Sequence, residues 1–174
     1  MVRCASGADS GSSSREYGIQ FECPPPAAAR PGAPFTLPVI VAVRPVGVPR
    51  GSASQQLVVN VSLRNESGSA PAAGLTGTLT SSVRSRHGNT TSGFSTFSRL
   101  TIAQPGRYRL RARLGIASAS GVTTRDHVDS DVIEVRADAP AVQRPTSSQV
   151  AQLQSLVPEN IDISPEDIAA WQQA

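Results

Sequence analysis

The segment between Gly106 and Ile116 alternates strictly between arginine or glycine and mostly apolar residues. A period of two is that of a β-strand with one buried face and one solvated face. The apolar face comprises Tyr108, Leu110, Ala112, Leu114 and Ile116, and the charged face comprises Arg107, Arg109, Arg111 and Arg113, here called the arginine row. The segment therefore predicts a strand that contributes to a core on one side and carries four guanidinium groups on the other.

The arginine row needs compensating negative charge. Its members are about 6.6 Å apart, and charges at about 7 Å repel by roughly 0.6 kcal/mol in water, so the row costs on the order of 2 kcal/mol. One explanation is cross-strand pairing, in which Glu134 of a closing strand lies beside Arg109 or Arg111. The other is an anionic partner. The sequence leaves both open.

The composition favours many short strands. Aromatic residues make up only 4% of the 174 residues, whereas serine, threonine, glycine, proline and valine are frequent. This predicts one all-β sandwich domain over residues 16–138, preceded by a disordered leader over 1–15 and followed by a linker and two short amphipathic helices over 139–174, here called the C-terminal tail.

The strand pattern can be followed along the domain. Strands are expected at Tyr17–Cys23, Phe35–Val43, Leu57–Arg64, Leu75–Val83, Phe94–Ile102 and Val132–Val135, and a long loop at Ala117–Asp126. Phe97 is out of phase with Leu100 and Ile102, which predicts a bulge.

Helical spacing appears only in the C-terminal tail. Leu153 and Leu156 lie on one face of a first helix, and Ile168 and Trp171 on one face of a second, which Ser164 caps. Helices this short need a surface on which to pack. Docking on the sandwich and binding to a partner are both possible, and we expect a separable docking element with these four residues as its contacts. Truncation after Ala139 is then expected to leave the melting temperature almost unchanged.

No signature of catalysis or cofactor binding is visible. The sequence has no nucleophile motif, phosphate-binding glycine loop or metal-ligand cluster, so we expect no catalytic residues, no metal, no cofactor and no small-molecule substrate. His127 within Asp126–Asp129 is interpreted as part of a surface loop. The two cysteines, Cys4 and Cys23, favour a reducing compartment. No apolar run predicts a membrane span or a secretory leader, and the three glycosylation sequons are interpreted as unused.

The basic residues, all of them arginine, are unevenly distributed. From Pro24 to Arg125 there are twelve arginines and one acid, Glu66, for a net charge of +11, whereas the rest of the chain is acidic. A basic body favours binding to a polyanion, and duplex DNA is the predicted partner. The predicted DNA-binding residues are Arg84, Arg86 and His87 of a loop that approaches base edges, and Arg107, Arg109, Arg111 and Arg113, which contact phosphates.

Several motifs resemble the velvet-domain regulators of fungi. Gly93-Phe94 with Phe97, Leu100–Ile102 and above all Gly106–Arg111 are similar to the family's Gly-Phe-Phe strand and its Gly-x-Tyr-Arg-Leu strand. Tyr17–Gln20, Pro24–Gly32 and Asp129–Val135 resemble its opening strand, its Pro and Ala-Arg block and its closing strand. The resemblance covers about residues 17–136. The chain lacks the family's Cys-Gly, Arg-Arg-Pro-Ile and Lys-Phe-Pro-Gly segments.

The resemblance implies an immunoglobulin-like sandwich similar to the Rel-homology fold. It also implies a transcription regulator of the nucleus, with presence in the cytoplasm left open. Such a regulator acts as a homodimer or as a heterodimer with a velvet partner, and it controls development, sporulation and secondary metabolism. The alternative is an immunoglobulin-like module that binds proteins but not DNA. Open edge strands favour self-association in either case.

Overall fold

The computed structural model describes residues 17–45, 56–84, 93–118, 121–140, 142–159, 161 and 163–173. The predicted leader lies outside these residues. The strands are β1 (Tyr17–Cys23), β2 (Ala28–Ala29), β3 (Val39–Pro45), β4 (Gln56–Asn65), β5 (Leu75–Thr76), β6 (Thr80–Ser82), β7 (Gly93–Phe97), β8 (Thr101–Ile102), β9 (Gly106–Ser118), β10 (Gly121–Asp129) and β11 (Ile133–Val135). The helices are α1 (Ser147–Leu156), followed by a 3-10 turn (Val157–Glu159), and α2 (Pro165–Gln173).

Two sheets enclose the main core. The larger has the order β2, β11, β9, β4, β6, with β10 also paired to β9, and the smaller has the order β1, β3, β7; β5 and β8 form a separate ribbon. Val41 and Phe97 of the smaller sheet share one buried cluster with Leu63 and Leu110 of the larger sheet. The structure therefore confirms the predicted all-β, sandwich-like fold with two short C-terminal helices.

Strand β9 is the centre of the larger sheet. Along one edge it pairs with antiparallel β4 in an unbroken register from Tyr108 to Ala117. Along the other edge it pairs first with β11 and then with β10. Leu110, Ala112 and Leu114 are completely buried. The alternation in the sequence thus indicates the strand and its inward face correctly.

The segment predicted as a long loop at Ala117–Asp126 is mostly strand. Gly121–Asp129 forms β10 and pairs with Arg111–Ser118. The prediction was wrong because the segment has few apolar residues, although Val122, Thr123 and Thr124 favour extended backbone. This hairpin also changes the expected position of Glu134, which lies opposite Arg107 and not beside Arg109 or Arg111.

Two predicted strands are each divided. The segment Leu75–Val83 contains the short strands β5 and β6, and Phe94–Ile102 contains β7 and β8. Between β7 and β8, Arg99 adopts a left-handed backbone with φ of 59°. The chain changes sheets here, since β7 pairs with β3 and β8 pairs with β5. The phase change after Phe97 marks this turn and not a bulge within one strand.

The C-terminal tail packs on the sandwich. Leu153, Leu156 and Ile168 are buried in a second cluster together with Cys23 of β1 and Ile40 of β3. Trp171 is partly buried against this cluster. The structure therefore corrects the expectation of a separable tail, because residues predicted to bind a partner contact the smaller sheet of their own chain.

Each of the two helices begins at a capping box, and the predicted cap of the second helix, Ser164, is confirmed. Thr146 caps α1, accepting a hydrogen bond from the backbone N–H of Gln149, whose side chain accepts in return from the N–H of Thr146. Ser164 caps α2 in the same way with Asp167. These caps fix where the helices begin. The apolar faces of the helices then meet the smaller sheet.

Candidate nucleic-acid interface

The first two members of the arginine row contact the turn that follows β4. Arg107 Nε donates to Glu66 Oε2 at 2.9 Å, and Arg107 Nη1 donates to Glu134 Oε2 at 3.0 Å. These carboxylates raise the pKa of Arg107, with the hydrogen bond to Glu66 as the main cause. Arg109 donates to backbone carbonyls instead, from Nε to Glu66 O at 2.6 Å and from Nη1 to Ser130 O at 2.9 Å. Carboxylates thus neutralise Arg107, whereas Arg109 meets carbonyl dipoles.

Arg111 forms a two-pronged salt bridge with Asp129 of β10. The Nε and Nη2 atoms of Arg111 donate to Oδ1 and Oδ2 of Asp129 at 2.7 and 3.0 Å. The two side chains are only 15% and 26% exposed. Hydrogen bonding to Arg111 lowers the pKa of Asp129, and the same bond raises the pKa of Arg111. Cross-strand pairing therefore accounts for Arg111, with Asp129 as partner in place of the expected Glu134.

Arg113 and Arg64 complete the basic face of the larger sheet. Arg113 lies between Asn60 of β4 and His127 of β10, and it forms no salt bridge within the residues that the structure describes. Arg64 lies directly opposite Arg109 and donates to Gly68 O at 3.3 and 3.4 Å. Like charges directly opposite each other are unfavourable in a sheet. This face therefore retains positive charge that carboxylates do not cancel.

The motif that carries the family resemblance has a structural explanation. A Cβ added at Gly106, where φ is 152°, would lie 3.0 to 3.2 Å from the phenol of Tyr108. The Tyr108 hydroxyl donates toward the carbonyl oxygens of Gln104 and Pro105, at 3.1 and 3.2 Å. Glycine thus gives the tyrosine room to close the turn that precedes β9. The next two residues of the motif are Arg109 and Leu110. Arg109 contacts the turn that follows β4, and Leu110 packs in the core.

Of the three loop residues predicted to reach base edges, the structure describes only Arg84. Arg84 is exposed and follows β6, where its backbone pairs with Phe94. Arg86 and His87 lie outside the described residues. The structure thus places the backbone of Arg84 at the edge strand of the larger sheet. It brings together the four members of the arginine row, as predicted.

Two contributors to this face were not predicted. Glu66 is the single acid between Pro24 and Arg125, yet no role for it was predicted from the sequence. Gly68 O accepts hydrogen bonds from both Arg64 and Arg111. The signal was present, because an isolated acid at a turn in a basic domain is a natural partner for arginines. Its pairing depends on how the turn folds back over the sheet.

Comparison with known proteins adds no assignment, because neither a scan against family models nor a search of curated proteins gives a match. The described residues contain no group of three or more histidine, cysteine or acidic side chains placed to hold a metal ion. Among the same residues, no helix combines the length and apolar character that a membrane crossing requires.

The salt bridge between Arg111 and Asp129 predicts an acid-dependent loss of stability. Because the pKa of Asp129 lies below its ordinary value of 3.8 in the folded state, its contribution is present above 3.8 and is lost as pH falls through the folded pKa. We expect wild type to be more stable than Asp129→Asn at neutral pH, with the difference shrinking below about pH 4. Urea unfolding across this range measures it, with Asp131→Asn as control. A difference independent of pH would contradict the prediction.

Proposed function

We propose that this chain is a non-enzymatic regulatory protein of the velvet type that binds duplex DNA, alone or with a velvet-family partner. The observation that carries the proposal is the basic outer face of the larger sheet. Arg64, Arg109 and Arg113 have no carboxylate partner among the described residues, and all three lie on adjacent paired strands. Arginines on a rigid sheet are well suited to phosphate contacts, which position a protein on DNA.

The wider role follows from the resemblance and is part of the same proposal. The β9 motif and the sandwich support a velvet-type regulator that acts in the nucleus on development, sporulation and secondary metabolism. Arg84, Arg86 and His87 remain the proposed contacts to base edges, because the sequence predicts a loop there and a loop projects further than a sheet face. Alanine at Arg84 or Arg86 is expected to relax sequence preference while leaving general affinity largely intact.

Arg113 offers the sharpest test of DNA binding. Fluorescence anisotropy with a labelled duplex, titrated from low to moderate salt, gives the slope of log affinity against log salt. Arg113→Ala is expected to reduce that slope by about 0.9, the value for one phosphate contact. The matched control is Arg44→Ala, since Arg44 is an exposed arginine of β3 in the smaller sheet. Both variants should retain the wild-type melting temperature.

Two results would overturn the DNA-binding proposal. One is the absence of salt-dependent binding by wild type at low ionic strength. The other is an equal effect of the two arginine variants, which would indicate bulk charge and no defined face.

A protein-interaction module without DNA binding is the second candidate. The observation that favours it is that Arg107, Arg109 and Arg111 all hydrogen-bond within the chain. In that case alanine at any of the three lowers the stability and leaves DNA affinity unchanged. Sedimentation would then be expected to show a species near twice the 18.1 kDa monomer or a complex with a velvet partner.

A further inference from the structure

We propose that the turn from Asn65 to Ala70 is an internal competitor that occupies the phosphate-binding donors of the basic face. The inference rests on the proposed DNA binding and concerns its regulation at the same site. Oxygen atoms of this turn take the positions in which phosphate oxygens would bind.

The first of these oxygens belong to Glu66. Its carboxylate accepts from Arg107, and its backbone carbonyl accepts from Arg109 at 2.6 Å. A phosphate group offers the same combination of negative charge and several acceptor oxygens to neighbouring guanidinium groups. Glu66 therefore satisfies two members of the arginine row as a backbone phosphate would.

Gly68 supplies the acceptor for two further arginines. Its carbonyl oxygen accepts from Arg64 Nη2 at 3.3 Å and from Arg111 Nη2 at 3.2 Å. Glu66 and Gly68, two residues apart, thus engage four of the five arginines of β4 and β9. Arg113, the fifth, has no contact with the turn. A DNA backbone that lay along the row would have to displace the turn to reach the other four.

The turn is built so that it can move without unfolding the sheet. Its internal organisation depends on Asn65, whose Oδ1 accepts from the backbone N–H groups of Ser69 and Ala70 at 2.9 and 3.3 Å and from Ser67 Oγ at 3.2 Å. These bonds are local and exposed. Opening the turn breaks these exposed bonds, two backbone hydrogen bonds (Gly68 N–H to Asn65 O and Asn65 N–H to Ala70 O) and the part-buried bonds from Arg64 and Arg111 to Gly68 O. None of these bonds involves the buried side chains of β4, Val61 and Leu63 among them.

Two variants test this competition. Asn65→Ala loosens the turn and changes neither the net charge nor any arginine, and Glu66→Gln removes the competing carboxylate. Both are expected to bind a labelled DNA duplex at least about threefold more tightly than wild type. Each additional phosphate contact should steepen the salt slope by about 0.9. The control is Glu166→Gln, which makes the same charge change as Glu66→Gln at an exposed position in α2.

The outcomes separate this inference from the proposed function. If wild type binds DNA and neither variant binds it more tightly, the proposal that the turn competes with DNA is wrong and the proposed DNA binding stands. If Glu166→Gln gains as much as Glu66→Gln and Asn65→Ala gains nothing, bulk charge explains the result and the competitor is again wrong.

Inorganic polyphosphate provides a second ligand of the same chemistry. If wild type does not bind DNA and the variants gain affinity for polyphosphate alone, the competing role of the turn is supported and DNA binding is overturned. No gain for either ligand by either variant, with the wild-type melting temperature retained, would overturn the competitor. If wild type also fails to bind DNA, the proposed function is overturned as well. Because Glu66 is 55% exposed, Glu66→Gln keeps the test available if Asn65→Ala unfolds the domain.

Discussion

Replacing Leu153 by alanine is expected to lower the free energy of unfolding by about 2–5 kcal/mol. Leu153 is 1% exposed and packs in the cluster that joins the C-terminal tail to Cys23 and Ile40. Alanine would leave a cavity between α1 and the smaller sheet that the surrounding backbone fills only in part. Urea or thermal unfolding of the purified variant measures the loss.

An exposed position on the same helix provides the matched control. Gln154 is the next residue of α1 and is exposed, so Gln154→Ala should change the stability by less than about 0.5 kcal/mol. Deleting the tail would uncover Ile40 and should destabilise the domain further. A Leu153→Ala variant as stable as wild type would restore the interpretation of the tail as a separable partner-binding element.

Replacing Gly93 by alanine is expected to cost about 3 kcal/mol or more. Gly93 has φ of 154°, and a Cβ there would lie 2.2 Å from the carbonyl oxygen of Arg84. Since both Arg84 and Gly93 are held by a backbone pairing between Arg84 and Phe94, the clash cannot be relieved by a side-chain rotation. The strand edge would have to move, and chemical denaturation would report the loss.

A substitution at Gly32 measures the cost of a positive φ in the absence of a steric clash. It has φ of 76°, and a Cβ there would meet no atom within 4 Å, so Gly32→Ala should cost only about 1–2 kcal/mol. The difference between the two glycine variants measures the steric term. Equal losses would contradict the close approach of Gly93 to Arg84.

The burial of Cys23 illustrates a property that spacing does not reveal. The sequence places Cys23 at the end of a strand, but the tail covers it and helps to bury the thiol. Burial, with a smaller contribution from the charge of Glu22, raises the pKa of Cys23 to about 11. The thiolate, which is the reactive form, is therefore scarce at neutral pH.

The role of the arginine row could be predicted only in part. Alternation showed that the arginines share one solvated face, and the need for compensating charge was evident from Coulomb's law. Which acids compensate depends on register. Asp129 pairs with Arg111 because Gly121–Asp129 forms a strand, and Glu134 pairs with Arg107 because β11 lies beside the first three residues of β9. Neither pair was predicted: Glu134 was expected beside Arg109 or Arg111, and most of the segment that ends at Asp129 has the composition of a loop.

By itself, the sequence determined the local features of this protein: the central strand, its buried face, the helix caps and the uneven charge. Each follows from residues that are close together in the chain, where periodicity and capping chemistry act directly. Only the tertiary structure decided the contacts of Glu66 with the arginine row and the packing of the tail on Ile40. These contacts join residues at least 41 positions apart, and their geometry depends on how sheets and turns assemble.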